Sequence, residues 1–497
     1  MKTSSLFKMA GAARAVAGAL VLFLCVGAVS AQGYKEASVD ESLAGQKSAA
    51  IGGGDAAAVK NFLTKYYLAR WTVQANGSNL HTYREELIAD GASLNGAAQE
   101  TFLKEAVDAL TKYAASKDCY PACRYNAVLA IGTLDVKPAQ ERNGVGTPYP
   151  GAIKTLANFC TSDKEFPDYV RLGALVGLTR HAALGIEDET LRNGVRKVFS
   201  TILDPKYATE KKLRPEIGEW FQLKALEGLT SFKTPEGPDG PTGTLDLFKK
   251  MVDDDKLDFE LRALAARGIG AMDLTKVQNA DFPALATSLT TLARDFCISE
   301  SAHIDSELLR EQVKSAAATT GATGTMGGAM GGGPGGSMGG GAMGGAGAQQ
   351  SQKSLEAMVA RVQYGFDSVQ AAIKGVDGGS GLLVVLGGSV EKKPGGKKAG
   401  GKNAPAEEVK IDPADKVAVA REMLNDVLKE IQNTNQFIAE GPQSQAGMMG
   451  AGGMMNAAAM QGGRGGMGGV MVDSASMKDH LLQQKLRFNA LLGVDSF

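Results

Sequence analysis

The phrase RYNAVLAIGTL at residues 124–134 returns three times in altered form, as VRLGALVGLTRH from Val170, FQLKALEGLTSF from Phe221 and LRALAARGIGAM from Leu261. Aligned, the four phrases place small or apolar residues at relative positions zero, three and four, and usually seven. The sets are Ala127, Ala130, Ile131 and Leu134; Ala174, Gly177, Leu178 and His181; Ala225, Gly228, Leu229 and Phe232; Ala265, Gly268, Ile269 and Met272. That spacing is one face of an α-helix. Mixing small with branched side chains on the face lets helices approach closely while a larger group fills the gap. Three residues before each leading alanine stand Arg124, Arg171, Gln222 and Arg262. Such helices cannot hide their apolar faces alone, so the expected fold class is all-α, with the copies side by side.

A second amphipathic stretch precedes each phrase: AAQETFLKEAVDALTKYAA, GAIKTLANFC, ETLRNGVRKVFSTIL and TGTLDLFKKMV. Turn-forming tracts at 118–121, 204–215 and 235–243 divide them. The result is helix pairs whose leading alanines lie 40 to 51 residues apart, the period of HEAT and armadillo arrays. CRYNAVLAIGTLD, DYVRLGALVGLTRHA, EWFQLKALEGLTSF and LRALAARGIGAMD thus resemble the HEAT-repeat (armadillo-like) family, in particular exported bacterial members with diverged repeats. The resemblance implies an α-solenoid of HEAT-like helical hairpins over residues 55–320, used for binding partners and bringing no catalytic residues. The third copy departs from the pattern with Gln222. A fifth copy is expected with FPALATSLTTLARDFC as first helix and Arg310, Val313, Ala316 and Ala317 on the second. VKNFLTKYYLARWTV with HTYREELIA reads as a capping pair, around a cluster of Tyr66, Tyr67, Trp71 and Tyr83.

The N-terminus reads as an export signal over residues 1–31: Lys2, Lys8 and Arg14 precede the apolar run ALVLFLCVGAV, and Val29-Ser30-Ala31 suits cleavage. The expected location is periplasmic or extracellular, with a flexible lead at 32–54 and no membrane span after cleavage. Balanced charge, 53 Lys+Arg against 54 Asp+Glu, and 6% aromatic content give no nucleic-acid signature. Export permits a disulfide, and Cys119 and Cys123 could close one at a helix start. Arg124 stands where a covalent haem site would need histidine, and no second Cys or His pair lies near enough for zinc. Cys160, Cys297 and His181 read as buried core residues.

After Thr320 the composition changes. Fifteen of the 27 residues from Gly321 to Gly347 are glycine, too little side chain to offset backbone entropy, so 321–352 is expected as a disordered Gly/Met-rich linker. Helical segments with a Lys/Gly-rich linker follow over 353–440: SLEAMVARVQYGFDSVQAAIKGV from Ser354, an LLVVL run read as a strand or buried turn, and a helix from Asp412 to Glu440. The stripe of that last helix is Val417, Ala420, Met423, Leu424, Val427 and Ile431. A second Gly/Met-rich linker, 441–472, leads to a C-terminal helix in 473–497. These helices are expected to dock on the end of the repeats, because lone amphipathic helices are marginal in water.

No Ser/His/Asp grouping, phosphate loop or carboxylate pair has a context for catalysis. The expected function is a non-catalytic extracytoplasmic scaffold that binds protein partners through the solenoid surface, without a cofactor. The alternative is binding of copper by the tract methionines (Met326, Met330, Met338, Met343, Met448, Met449, Met454, Met455, Met460, Met467, Met471), whose thioethers are soft ligands for Cu(I), or of an acidic polymer by Lys392, Lys393, Lys397, Lys398 and Lys402.

Overall fold

The computed structural model describes residues 33–53, 55–137, 146–162, 164–278, 280–322, 345–387, 415–440 and 472–494. Among them are seventeen α-helices and one two-stranded antiparallel ribbon, Asp135–Lys137 with Thr147–Pro148. Two compact units divide the chain, Met1–Gly177 and Leu178–Phe497.

In the first unit, α1 (Lys47–Gly52), α2 (Ala56–Phe62) and α3 (Leu80–Ser93) precede α4 (Gly96–Ala115), α5 (Pro121–Ile131) and α6 (Pro150–Thr161). The next helix, α7 (Asp168–Leu184), begins here and ends in the second unit. Proline at the first position starts α5 and α6, where its missing N–H costs nothing. Ahead of α1, Lys35 N–H donates to Asp118 O (2.9 Å), Ala37 N–H to Thr72 Oγ1 (2.7 Å), and Glu36 accepts from Gln74 N–H (2.9 Å). Around the expected capping pair, Arg70 lies 4.5–5.0 Å from the rings of Tyr66, Tyr67 and Tyr83, and Trp71 is fully buried.

The second unit continues with α8 (Glu189–Leu203), α9 (Pro205–Glu210), α10 (Pro215–Thr230), α11 (Gly243–Asp253), α12 (Phe259–Ala271) and α13 (Phe282–Ala322). Then come α14 (Gly345–Lys374), α15 (Gly381–Val385), α16 (Lys416–Glu440) and α17 (Ser474–Leu491). Asp188, Asp258 and Asp473 cap α8, α12 and α17 by accepting from backbone N–H groups of the first turn. α10 packs on α12 and α12 on α14, while α11 packs on α13.

Three of the four amphipathic pairs close around a glycine. A Cβ built on Gly177, Gly228 or Gly268 would stand 2.9, 2.4 or 2.3 Å from Leu156, Phe199 or Phe248 of the preceding helix, closer than side chains pack. The glycine at template position three is therefore the hole that receives a large apolar side chain of the preceding helix.

The expected fifth copy needs correction. α13 is one continuous helix of 41 residues, so Arg310 and Val313 do not begin a partner helix; Val313 is 61% exposed. The partner is α14. A Cβ on Gly365 would lie 2.7 Å from Phe296, and Val362, Phe366 and Val369 complete the template, all buried. Arg361 adds an ion pair with Glu300 at 2.9 Å.

The turn after α14 docks on the end of α12 through backbone: Val376 N–H donates to Gly270 O (3.0 Å) and Ser380 N–H to Met272 O (3.1 Å). Gly375 and Gly381 take φ of 85° and 66° to make this turn. LLVVL, left open between strand and buried turn, is the single helical turn α15, with Leu382 and Leu383 buried. α16 and α17 pack on α13, and the rings of Phe259, Phe296, Phe366 and Phe488 follow one another at 4.4, 5.2 and 6.4 Å. These C-terminal helices, expected to dock on the end of the repeats, pack on α13 and on each other. Val417, expected in the stripe of α16, is 45% exposed; Thr434 and Phe437 extend the buried face instead.

Between α16 and α17 the buried His480 ring stacks on Phe437 at 4.3 Å, with Nε2 3.0 Å from Thr434 Oγ1. Burial, helped by Arg487 and opposed by Glu430, holds its pKa down at about 4. An unfolded histidine titrates near 6.5, so between about pH 6.5 and 4 the unfolded chain binds a proton that the folded one refuses. Stability supplied by neutral His480 is complete above that window and falls by about 3 kcal/mol across it. Urea titrations at pH 7.5 and pH 4.5 should show a smaller acid loss for His480→Gln than for the parent; identical losses would remove His480 as the cause.

Candidate interaction face

The eight aliphatic residues singled out from the repeat, Ala127, Ile131, Ala174, Leu178, Ala225, Leu229, Ala265 and Ile269, are all buried. They build the scaffold and are not available to a ligand. Of the sixteen template positions only Phe232 is half-exposed.

The repeat arginines are buried too, and their role was not visible in the sequence. Arg124 Nε donates to Ala114 O (3.0 Å) in the last turn of α4, and Arg262 Nε to Val252 O (3.0 Å) in the last turn of α11. Arg171 donates to Phe159 O and Cys160 O (3.1 and 3.2 Å) at the end of α6, and to Ser162 O and Lys164 O (3.2 and 2.7 Å) beyond it. Each caps the carbonyls of the preceding helix, where orphan acceptors and the negative end of the dipole favour a cation. The offset of about ten residues to the helix end was the available signal. Gln222 at the corresponding place is half-buried; α9 lies in that connection, and its Tyr207 packs on Phe221 at 6.1 Å.

Cys119 and Cys123, which could close a bridge, are both buried and are not bonded to each other in this structure. Cys160 and Cys297 are fully buried, as expected.

What the buried arginines and alanines leave outward in the second unit is one face of α10, α12 and α14. α10 presents Trp220, Leu223, Lys224 and Glu227; α12 presents Glu260, Leu264 and Arg267; α14 presents Tyr364 and Asp367, all half-buried or exposed. These positions repeat at three and four residues because the opposite face carries the template. Lys224 Nζ lies 5.6 Å from the Trp220 ring and 2.7 Å from Glu227, and Thr179 Oγ1 of α7 donates to Lys224 O (3.0 Å). Burial pushes the Tyr364 hydroxyl up to about 12, Glu260 adding and Arg267 opposing, so it stays protonated as a donor. The Asp367 carboxyl is raised by burial, against Arg267. Two cations face three carboxylates across a platform carrying an indole and a phenol.

Other features supply less. A shallow depression on α11, lined by Asp246, Lys249, Lys250, Asp253 and Asp254, is largely self-neutralised, with Lys249 and Asp253 paired at 2.8 Å. Among the described residues no group of three or more His, Cys, Asp or Glu is placed to hold a metal ion, and no helix is long and apolar enough to cross a membrane. The tract methionines and Lys392 to Lys402 lie outside the described residues, as does the export-signal segment. Comparison with family models, curated proteins and solved structures finds no match to this chain.

Proposed function

We propose that the chain is a non-catalytic, exported scaffold, a HEAT-like α-solenoid that binds a protein partner through the outward face of its second helices. The carrying observation is the platform of Trp220, Arg267 and Tyr364 on three adjacent helices. Trp, Tyr and Arg dominate binding energy at protein interfaces because they bury large area with few lost rotamers and keep a polar end. The acidic excess beside them favours a partner segment with a basic residue next to an apolar one. Keyed, arginine-capped hairpins support the solenoid reading, and the basic, apolar and small-residue succession before Gln32 supports export.

The test is affinity capture from the cell envelope with chain 32–497, comparing the parent with Trp220→Ala/Arg267→Ala/Tyr364→Ala and with the control Lys104→Ala/Lys249→Ala. A captured protein should fall at least tenfold with the first variant and stay unchanged with the control. Equal capture by all three would overturn the face assignment.

A further inference from the structure

In the first unit a pair of cysteines stands at the start of α5. Tyr120 occupies the N-cap position, Pro121 the first turn, and Cys119 and Cys123 flank them, which places two thiols about one turn apart at a helix N-terminus that has no side-chain cap. Tyr113 and Tyr120 border the pair; the Tyr120 hydroxyl donates to Trp71 O at 3.1 Å, which holds that wall in place. The two cysteines are unequal. Cys119 retains 6% of its surface and Cys123 none. Cys123 first, then Ser116 and Arg124 against the cost of burial, hold the Cys119 thiol below its ordinary range. Cys119, with burial, pushes the Cys123 thiol up. Cys160 and Cys297 are fully buried and are raised by burial.

We propose that Cys119 and Cys123 form a thiol–disulfide exchange site for a low-molecular-weight disulfide, with Cys119 as attacking and Cys123 as resolving thiol. The Cys119 thiolate attacks one sulfur of the disulfide, forming a mixed disulfide and expelling one thiolate. Cys123 then loses its proton to that thiolate and attacks Cys119 Sγ, closing the Cys119–Cys123 bond and expelling the second thiolate, which takes up the proton released when Cys119 ionised. One disulfide is reduced to two thiols and one dithiol is oxidised; the reverse sequence restores the thiols. Exposure sets the order of attack, because only Cys119 reaches the surface, and helix-terminal amides with Arg124 favour its anion.

The test incubates folded chain 32–497 with mixtures of oxidised and reduced glutathione, quenches with alkylating agent and reads each cysteine by peptide mass. In the parent, the 119–123 bond should form and reopen as the glutathione ratio is changed, with Cys160 and Cys297 unmodified. Cys123→Ser should accumulate one glutathione on Cys119, and Cys119→Ser should leave Cys123 unmodified. The proposal is overturned if Cys119 in Cys123→Ser takes no glutathione while Cys160 and Cys297 stay protected. It is equally overturned if the bond resists reduction until denaturant is added, since that bridge would be structural. Labelling of all four cysteines at one rate would show unfolding in place of site chemistry, and would also overturn it.

Discussion

Replacing Arg171 by methionine should lower the unfolding free energy of the protein by about 3–5 kcal/mol, far more than the same change at Arg124. Arg171 satisfies four carbonyls from a site only 4% exposed. Removing the guanidinium leaves acceptors buried at the end of α6 without donors, and an unmade bond to a charged group costs more than the net value of the bond. Methionine keeps the stem volume, so the loss reports the carbonyls and not a cavity. Arg124 Nε has one such bond, to Ala114 O, and Arg124→Met should cost about 1–2 kcal/mol. Lysine is the discriminating substitution. Its ammonium cannot span carbonyls contributed by residues 159 to 164, whereas a planar fork can, so Arg171→Lys should recover less than half of the loss. Urea unfolding with unchanged m-values reads all three. Equal, small effects at Arg171 and Arg124 would mean that the arginines hold the helix ends only incidentally.

That gradient was not readable from the sequence, and the reason is instructive. Arg124, Arg171 and Arg262 recur at one place in the template, which marks them as part of the repeat, but nothing in the phrase says where the guanidinium goes. Its acceptors belong to the preceding helix and come into reach only when the hairpin closes. The helices themselves were legible because each is long and periodic: ETLRNGVRKVFSTIL coincides with α8, and AAQETFLKEAVDALTKYAA falls short of α4 by one residue. Legibility failed where a local pattern competed with a distant one. Arg310, Val313, Ala316 and Ala317 fit the template by spacing, yet no turn signal separates them from FPALATSLTTLARDFC, and the helix runs on. The true partner, with Val362, Gly365 and Phe366, lies beyond a glycine-rich tract that separates it in sequence from the repeats. Outward residues such as Trp220, Arg267 and Tyr364 carry no periodic signal of their own. They are what remains once the buried face is assigned, so the candidate face could be found only after the packing.

The glycine keys give the second large effect and decide whether α14 belongs to the same series. Phe248→Ala should destabilise by about 3–5 kcal/mol, the cost of emptying a ring-sized volume in a packed core. Gly268→Leu should cost about 3 kcal/mol, because its Cβ alone would meet Phe248 at 2.3 Å and Thr230 Oγ1 at 2.9 Å. Combined, the new leucine occupies the space that the ring vacates, so the double variant should lose at least 2 kcal/mol less than the sum. The same cycle applies at Phe296 and Gly365, where the Cβ contact would be 2.7 Å. Phe296 also stacks on Phe259 at 4.4 Å and meets Phe366 at 5.2 Å, so Phe296→Ala should be the costlier of the two ring deletions and its rescue by leucine less complete. Coupling at both sites would make α13 and α14 a repeat pair interrupted by an insertion. Coupling at Gly268 with strict additivity at Gly365 would instead make α14 an independent cap that merely rests on α12, since a knob and a hole that do not sense each other's size are not packed together.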